Sequence, residues 1–332
     1  MLLRGLFNQS REIEFFRFSN LLSYISLGAI SVSIILFIIL GLNYGIDFRG
    51  GTMFMVSSPE KIKVSDVRNT LSGSRLGDIS ISQATNPLET LSAGTLVSTD
   101  NIFIIKVEKT EGLNVETKVK SLLQNKVPNI KFLQIETVGS KVSSELVRNG
   151  MLAVFFAVIS VLVYIWLRFE WQFALGAVVA LIHDVILTIG VFSILRYEFN
   201  LSIIAALLTI IGYSLNDTVV VFDRVRENLR SFKSLPLLKV LNKSINNTFS
   251  RTIMTSVTTL LALFALYFLG GDVIRGFTFA MIWGVLVGTY SSIFVAAKIL
   301  LILNVKRNWT LHFIASFLRS NYTGNGPYVW CA

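Results

Sequence analysis

An acidic residue inside a stretch apolar enough to cross a bilayer is the pattern in this chain that points most directly to chemistry. Leu201 to Asn228, LSIIAALLTIIGYSLNDTVVVFDRVREN, carries Asn216 and Asp217. Insertion scales assign an aspartate at the centre of a membrane helix about +2.5 to +3.5 kcal/mol, so an intramembrane acid is by default a functional candidate. The alternative is a packed, hydrogen-bonded Asp217 that only joins helices. Phe222 marks the nearer end of the run, and at about 1.5 Å per helical residue Asp217 lies roughly 7 to 8 Å inside it. Arg251 begins the next span and enters from the same side, so its long side chain reaches Asp217 if the two helices are neighbours, or lipid phosphates if they are not. Burial favours the neutral form of a carboxyl group, and a nearby guanidinium favours its anion. Alternate protonation of Asp217 and pairing with Arg251 would turn proton flow into helix motion. Tyr213, one turn before Asp217, is placed to donate a hydrogen bond to it.

A second candidate pair is His183 and Asp184. Gly176, Ala180, Asp184 and Thr188 recur at four-residue steps, which turns Asp184 toward protein; a proton relay and a buried structural network both fit. The hydroxyl row Thr252, Thr255, Ser256 and Thr259 reads first as packing and second as hydration of a proton path. Chemistry of other kinds finds little support. One cysteine, Cys331, excludes an intrachain disulfide and a cysteine metal site, and with His183 and His312 as the only histidines neither a metal nor a cofactor is expected. No phosphate-binding loop is present, so any ATP used is hydrolysed by another protein.

These residues need helices to hold them, and the composition supplies them. With 53% hydrophobic and 15% charged residues and a mean hydropathy of +0.64, the chain reads as an α-helical polytopic membrane protein. Its net charge of +10 is spread over a tail, loops and an extramembrane segment without a nucleic-acid motif, so no nucleic-acid partner is expected. Six transmembrane helices are predicted: one at residues 21–41, then five at Met151–Leu167, Phe173–Leu195, Leu201–Phe222, Thr252–Leu269 and Gly276–Leu303. All five prolines fall outside them, as uninterrupted helices require. Residues 1–20 form a cytoplasmic segment, 42–149 an exterior domain, 150–303 a five-helix bundle with a cytoplasmic loop at 223–251, and 304–332 a cytoplasmic tail in which Trp309 to Phe317 reads as interfacial. Arg224, Arg226, Arg230, Lys233, Lys239, Lys243 and Arg251 place that loop, and both termini with it, in the cytoplasm. Within it Leu238, Leu241, Ile245 and Phe249 have the spacing of an amphipathic helix, lying on the membrane or solvated.

The exterior segment reads strand, helix, strand, strand, helix, strand, an α+β ferredoxin-like order with residues 86–100 as the loop between its middle strands. Its junction with the first span is GIDFRGG. Gly45, Gly50 and Gly51 permit turns there, and Asp47 and Arg49 read as pins for the linker. Two small-residue stripes suggest close helix contact: Ser202, Ala205, Thr209, Gly212, Asn216 and Val219 on the fourth span, and Gly276, Ala280, Gly284, Gly288, Ser292 and Ala296 on the sixth, the latter against a helix of this or another subunit.

GIDFRGG at Gly45–Gly51, the run from Glu198 to Arg230, SINNTFSRTIMTS at Ser244–Ser256 and GTYSSIF at Gly288–Phe294 together resemble the SecD/SecF family, of the resistance-nodulation-division type. The resemblance covers nearly all of the chain in order and departs from it after Asn304. It implies an inner-membrane subunit that pairs with SecD, associates with the SecYEG channel and uses the proton-motive force to promote translocation of exported polypeptide. Asp217 and Arg251 match the family's transport-essential aspartate and arginine, and a further acidic residue is expected from SecD. The residues alone leave two other readings open: a proton-coupled small-molecule or lipid exporter subunit, and a structural subunit without coupling.

Overall fold

The computed structural model describes residues 13–58, 62–72, 76, 79–84, 101–108, 114–127 and 129–305. The expected loop at 86–100, the interfacial segment Trp309 to Phe317 and Cys331 lie outside the described residues. Among the described residues six helices are long and apolar enough to cross a membrane: Phe15–Leu40, Lys141–Arg168, Trp171–Leu195, Leu201–Ser231, Leu237–Leu269 and Asp272–Ile302. They are called the first to sixth spans below. Half of the most apolar window of the third, fourth and sixth spans is buried within the chain, against 11% for the other three. The third, fourth and sixth therefore form the interior, and the fourth carries Asp217.

Between the first and second spans lies the α/β domain. Strands β2 (Gly51–Ser58), β3 (Ile79–Ala84), β4 (Asn101–Glu108) and β5 (Lys131–Val138) form an antiparallel sheet in the order β3-β4-β2-β5. Helices Val64–Ser72 and Val115–Lys126 supply Val67, Leu71, Val119 and Leu123 to a core with Phe54, Phe103, Ile105 and Val107. The core residues of the strands, Phe54 and Val56 on β2 and Phe103, Ile105 and Val107 on β4, alternate, and those of each helix recur every three or four positions, so one face of the sheet is covered by both helices. This is the ferredoxin-like arrangement read from the sequence. A second sheet is not legible there: β1 (Asn43–Tyr44), after the first span, pairs in parallel with β6 (Glu198–Phe199), before the fourth.

Three features differ from the sequence reading. The connection expected at 223–251 is helical except for residues 232–236, because the fourth span continues to Ser231 and the fifth begins at Leu237. Leu241 and Ile245 do not lie on a membrane surface. They are fully buried against Val225 and Leu229, since an apolar stripe next to an apolar helix end gains more by packing on protein. Secondly, the sixth span is not uninterrupted: Ser292–Ala296 forms a π-helical turn without any proline. Thirdly, Ser202, Ala205, Thr209, Gly212 and Asn216 are not on the buried face of the fourth span, which is instead Ile203, Ala206, Ile210, Ser214, Asp217 and Val221. The ridge of the sixth span does pack as expected, and its partner is the fourth span of the same chain. A Cβ on Gly284 would lie 2.3 Å from Ile210 Cγ1, and one on Gly288 3.0 Å from Ser214 Cβ.

Candidate functional site

Asp217 is buried on the inner face of the fourth span, 3% exposed, and its Oδ2 has no hydrogen-bond partner among the described residues. On the fifth span Thr252 Oγ1 is likewise buried and without a partner there. Leaving a buried polar atom unsatisfied costs about 1 to 3 kcal/mol, so two of them on adjacent helices mark a place that the bundle has not been packed to satisfy.

The expected charge pair is not formed: among the described residues no ion pair joins Asp217 to Arg251. Tyr213 donates from its hydroxyl to Thr259 Oγ1 at 3.4 Å, which sets the antiparallel register of the fourth and fifth spans. By that register Asp217 stands level with Thr255, and Arg251 one turn nearer the end remote from the α/β domain. The Arg251 side chain lines a cavity of about 360 Å³ with Tyr164, Arg168, Val219, Asp223 and Glu227. Tyr213, committed to Thr259, does not reach Asp217, and Asn216 lies off the buried face.

His183 and Asp184, each 1% exposed, form a different kind of centre. Asp184 Oδ1 lies 2.9 Å from His183 Nδ1, and Oδ2 accepts from Ser214 Oγ at 2.7 Å and Ser291 Oγ at 2.8 Å. One carboxylate thus ties the third, fourth and sixth spans together, next to the π-helical turn. Ser291 precedes that turn directly, and Ser256 Oγ, 2.7 Å from Thr289 Oγ1, adds the fifth span. The sequence reading missed the first span's part. Ser19, Ser26 and Ser33, spaced by seven, are the buried residues of its Ser19–Leu40 helix, and that spacing was the available signal. Ser26 Oγ lies 2.7 Å from Tyr290 Oη, whose ring stacks on His183 with centroids 6.1 Å apart. Ser33 sits so close to Gly190 that a Cβ there would be 2.2 Å from its Oγ.

The GIDFRGG residues gather at the opposite end of the fourth span. Asp47 Oδ2 accepts from Leu201 N at 2.9 Å, and Gly45 N donates to Phe199 O at 2.9 Å. A Cβ on Gly45 would lie 2.6 Å from Glu198 Oε1 and one on Gly51 2.5 Å from Val107 O, while Gly50 adopts φ +78°. The backbone contact at Gly51 and the left-handed turn at Gly50 therefore require glycine, while at Gly45 the flexible end of Glu198 could give way. Arg49 lines a cavity of about 130 Å³ with Tyr44, Lys106, Glu108 and Glu198. Among the described residues no group of three or more His, Cys, Asp or Glu is placed to hold a metal.

Residues 118–306 match the family model described as protein export membrane protein SecD/SecF, C-terminal, and residues 35–56 match the SecD/SecF GG motif. The chain belongs to the SecD/SecF family. Similar relatives include the protein translocase subunit SecF of Cereibacter sphaeroides, 46% identical over 304 residues that cover 90% of this chain and 92% of that one. The SecF of Rickettsia bellii is 41% identical, covering 84% and 90%. The SecDF of Brucella abortus is 40% identical over 89% of this chain and 38% of its own. Among solved structures, SecDF from Thermus thermophilus superposes with a TM-score of 0.77 at 34% identity, covering 89% of this chain and 39% of that one. SecDF in a super-membrane-facing form gives 0.64 at 31% identity, covering 94% and 40%. The chain spans about two fifths of these solved SecDF chains. Within the SecD/SecF family the matched GG motif is the GIDFRGG linker, and the longer match contains Asp184, Asp217 and Arg251.

Proposed function

We propose that this chain is the SecF-type subunit of a bacterial protein-export machinery, which works with SecD beside the SecYEG channel and uses the proton-motive force to promote polypeptide translocation. The observation that carries the reading is Asp217, a buried acid with an oxygen left unpartnered among the described residues on an innermost span. When it loses a proton its charge needs a counter-ion, and Arg251 is the cation one turn away. Bringing the two together requires the fourth and fifth spans to slide or rotate against each other, so proton uptake and release become helix motion. The membrane potential supplies about 2.3 kcal/mol per charge per 100 mV for it.

The basic residues at the end remote from the α/β domain, Arg224, Arg226, Arg230, Lys233, Lys239 and Lys243, support a cytoplasmic face there, with both termini inside and the domain outside. The outward stripe of Ser202, Ala205, Thr209, Gly212 and Asn216 suits a second membrane subunit, and the fused SecDF relatives, in which this chain corresponds to about two fifths, support SecD as that subunit. SecD would also bring the further acidic residue that completes the proton site.

The test is export of a secreted reporter in cells depleted of this protein and supplied with Asp217→Asn. We expect the variant to insert and accumulate normally, to leave export as slow as in depleted cells, and to abolish the part of the rate that an uncoupler removes. Wild-type export by Asp217→Asn would overturn proton coupling and leave the structural-subunit reading.

A further inference from the structure

The covalent chain links the α/β domain to the first and second spans, two of the three peripheral ones, and not to the fourth. Side chains make the missing connection. Asp47, four residues before the domain's first long strand, accepts from Leu201 N at the first turn of the fourth span. That amide is one of the orphan donors of a helix start, and the carboxylate also sits at the positive end of the helix dipole. The strands add two further links. β1 runs beside β6, holding the linker against the segment that leads into the fourth span. From the domain itself Lys106, on the central strand β4, forms an ion pair with Glu198 on β6. Gly45 and Gly51 allow these segments to approach closely enough for both contacts.

We propose that the outer turn of the fourth span and the α/β domain move as one body, with Asp47–Leu201 and Lys106–Glu198 as the fasteners, so that displacement of the helix at Asp217 is delivered to the domain. Asp217 and Leu201 lie on one helix, about 24 Å apart at 1.5 Å per residue, and a helix is stiff along its axis. Lys106, Glu198 and Asp47 are then positioning residues: they touch neither proton nor cargo, and set where the domain goes. Both members of the ion pair are partly solvated, 22% and 29% exposed, and a pair of this kind contributes little to stability. Reversing its charges should leave the fold intact and alter the stroke.

This inference rests on the proton-coupled reading above. The test uses the full chain with its membrane partners, in depleted cells, and measures the uncoupler-sensitive part of reporter export together with the amount of protein in the membrane. Lys106→Glu and Glu198→Lys are each expected to lower that part about fivefold or more at unchanged abundance, and the double exchange to restore it to within about twofold of wild type, as a direct pairwise coupling requires. Asp47→Ala should act like the single reversals, and Asp47→Asn, which keeps an acceptor for Leu201 N, should recover most of the loss. Wild-type export in both single reversals, or a double variant as weak as the singles, overturns the proposal. If instead Asp217→Asn exports normally, the proton reading fails, whatever the charge exchange shows.

Discussion

Two aspartates lie in the interior of this bundle and differ in what surrounds them. Asp184 has contacts at both oxygens, from His183, Ser214 and Ser291, whereas Asp217 Oδ2 has none among the described residues. A saturated carboxylate holds helices in place; one with an unpartnered oxygen can change its state without dismantling a network. Asp184→Ala is therefore expected to lower the stability of the detergent-solubilised chain by about 1 to 2 kcal/mol, near the upper range for hydrogen bonds between membrane helices, read by thermal or SDS unfolding. Asp184→Asn, which keeps one acceptor, should recover about half of that loss. Spacing turned Asp184 toward protein but could not rank the two acids, because hydrogen-bond saturation depends on Ser214 and Ser291 arriving from other spans.

At the scale of elements, the fourth span has one face packed against the sixth and another left open. Periodicity identifies residues that share a face, and the stripe through Gly212 was read from the sequence in that way, while the buried row through Asp217 was not. Which of them meets the rest of the chain was not legible there, since that depends on the rotation of the helix in the bundle. The consequences are opposite for the two helices' glycines. Gly284→Leu must displace Ile210, whose Cγ1 is 2.3 Å from where the new Cβ would stand, and should destabilise the isolated chain by about 1 to 3 kcal/mol. A Cβ at Gly212 meets nothing within 4 Å, and Gly212→Leu should change stability by less than about 0.5 kcal/mol in the same unfolding measurement.

For the whole molecule, an open polar stripe on an innermost span describes half of an assembly. Gly212→Leu is accordingly expected to weaken recovery of SecD with a tagged copy of this chain from co-expressing cells, by about tenfold if the contact loses about 1.4 kcal/mol, while the chain alone stays as stable as wild type. Unchanged recovery would place the partner against another face. The small-molecule exporter reading is less suited to this architecture, which offers a single α/β domain outside the bundle among the described residues rather than the larger exterior portion such transport needs.

The amino-acid sequence by itself determined six apolar spans, a ferredoxin-like order of strands and helices, and an acid where hydrocarbon should be. Each follows from local composition or periodicity, which are properties of a segment and its solvent. Tertiary structure alone decided that Arg251 lines a cavity without an ion pair to Asp217 among the described residues, that Asp184 gathers serines from two other spans, and that GIDFRGG fastens onto the head of the fourth span. These depend on the register and rotation of elements distant in the chain, and a difference of one helical turn or one face exchanges a charge pair for an open cavity.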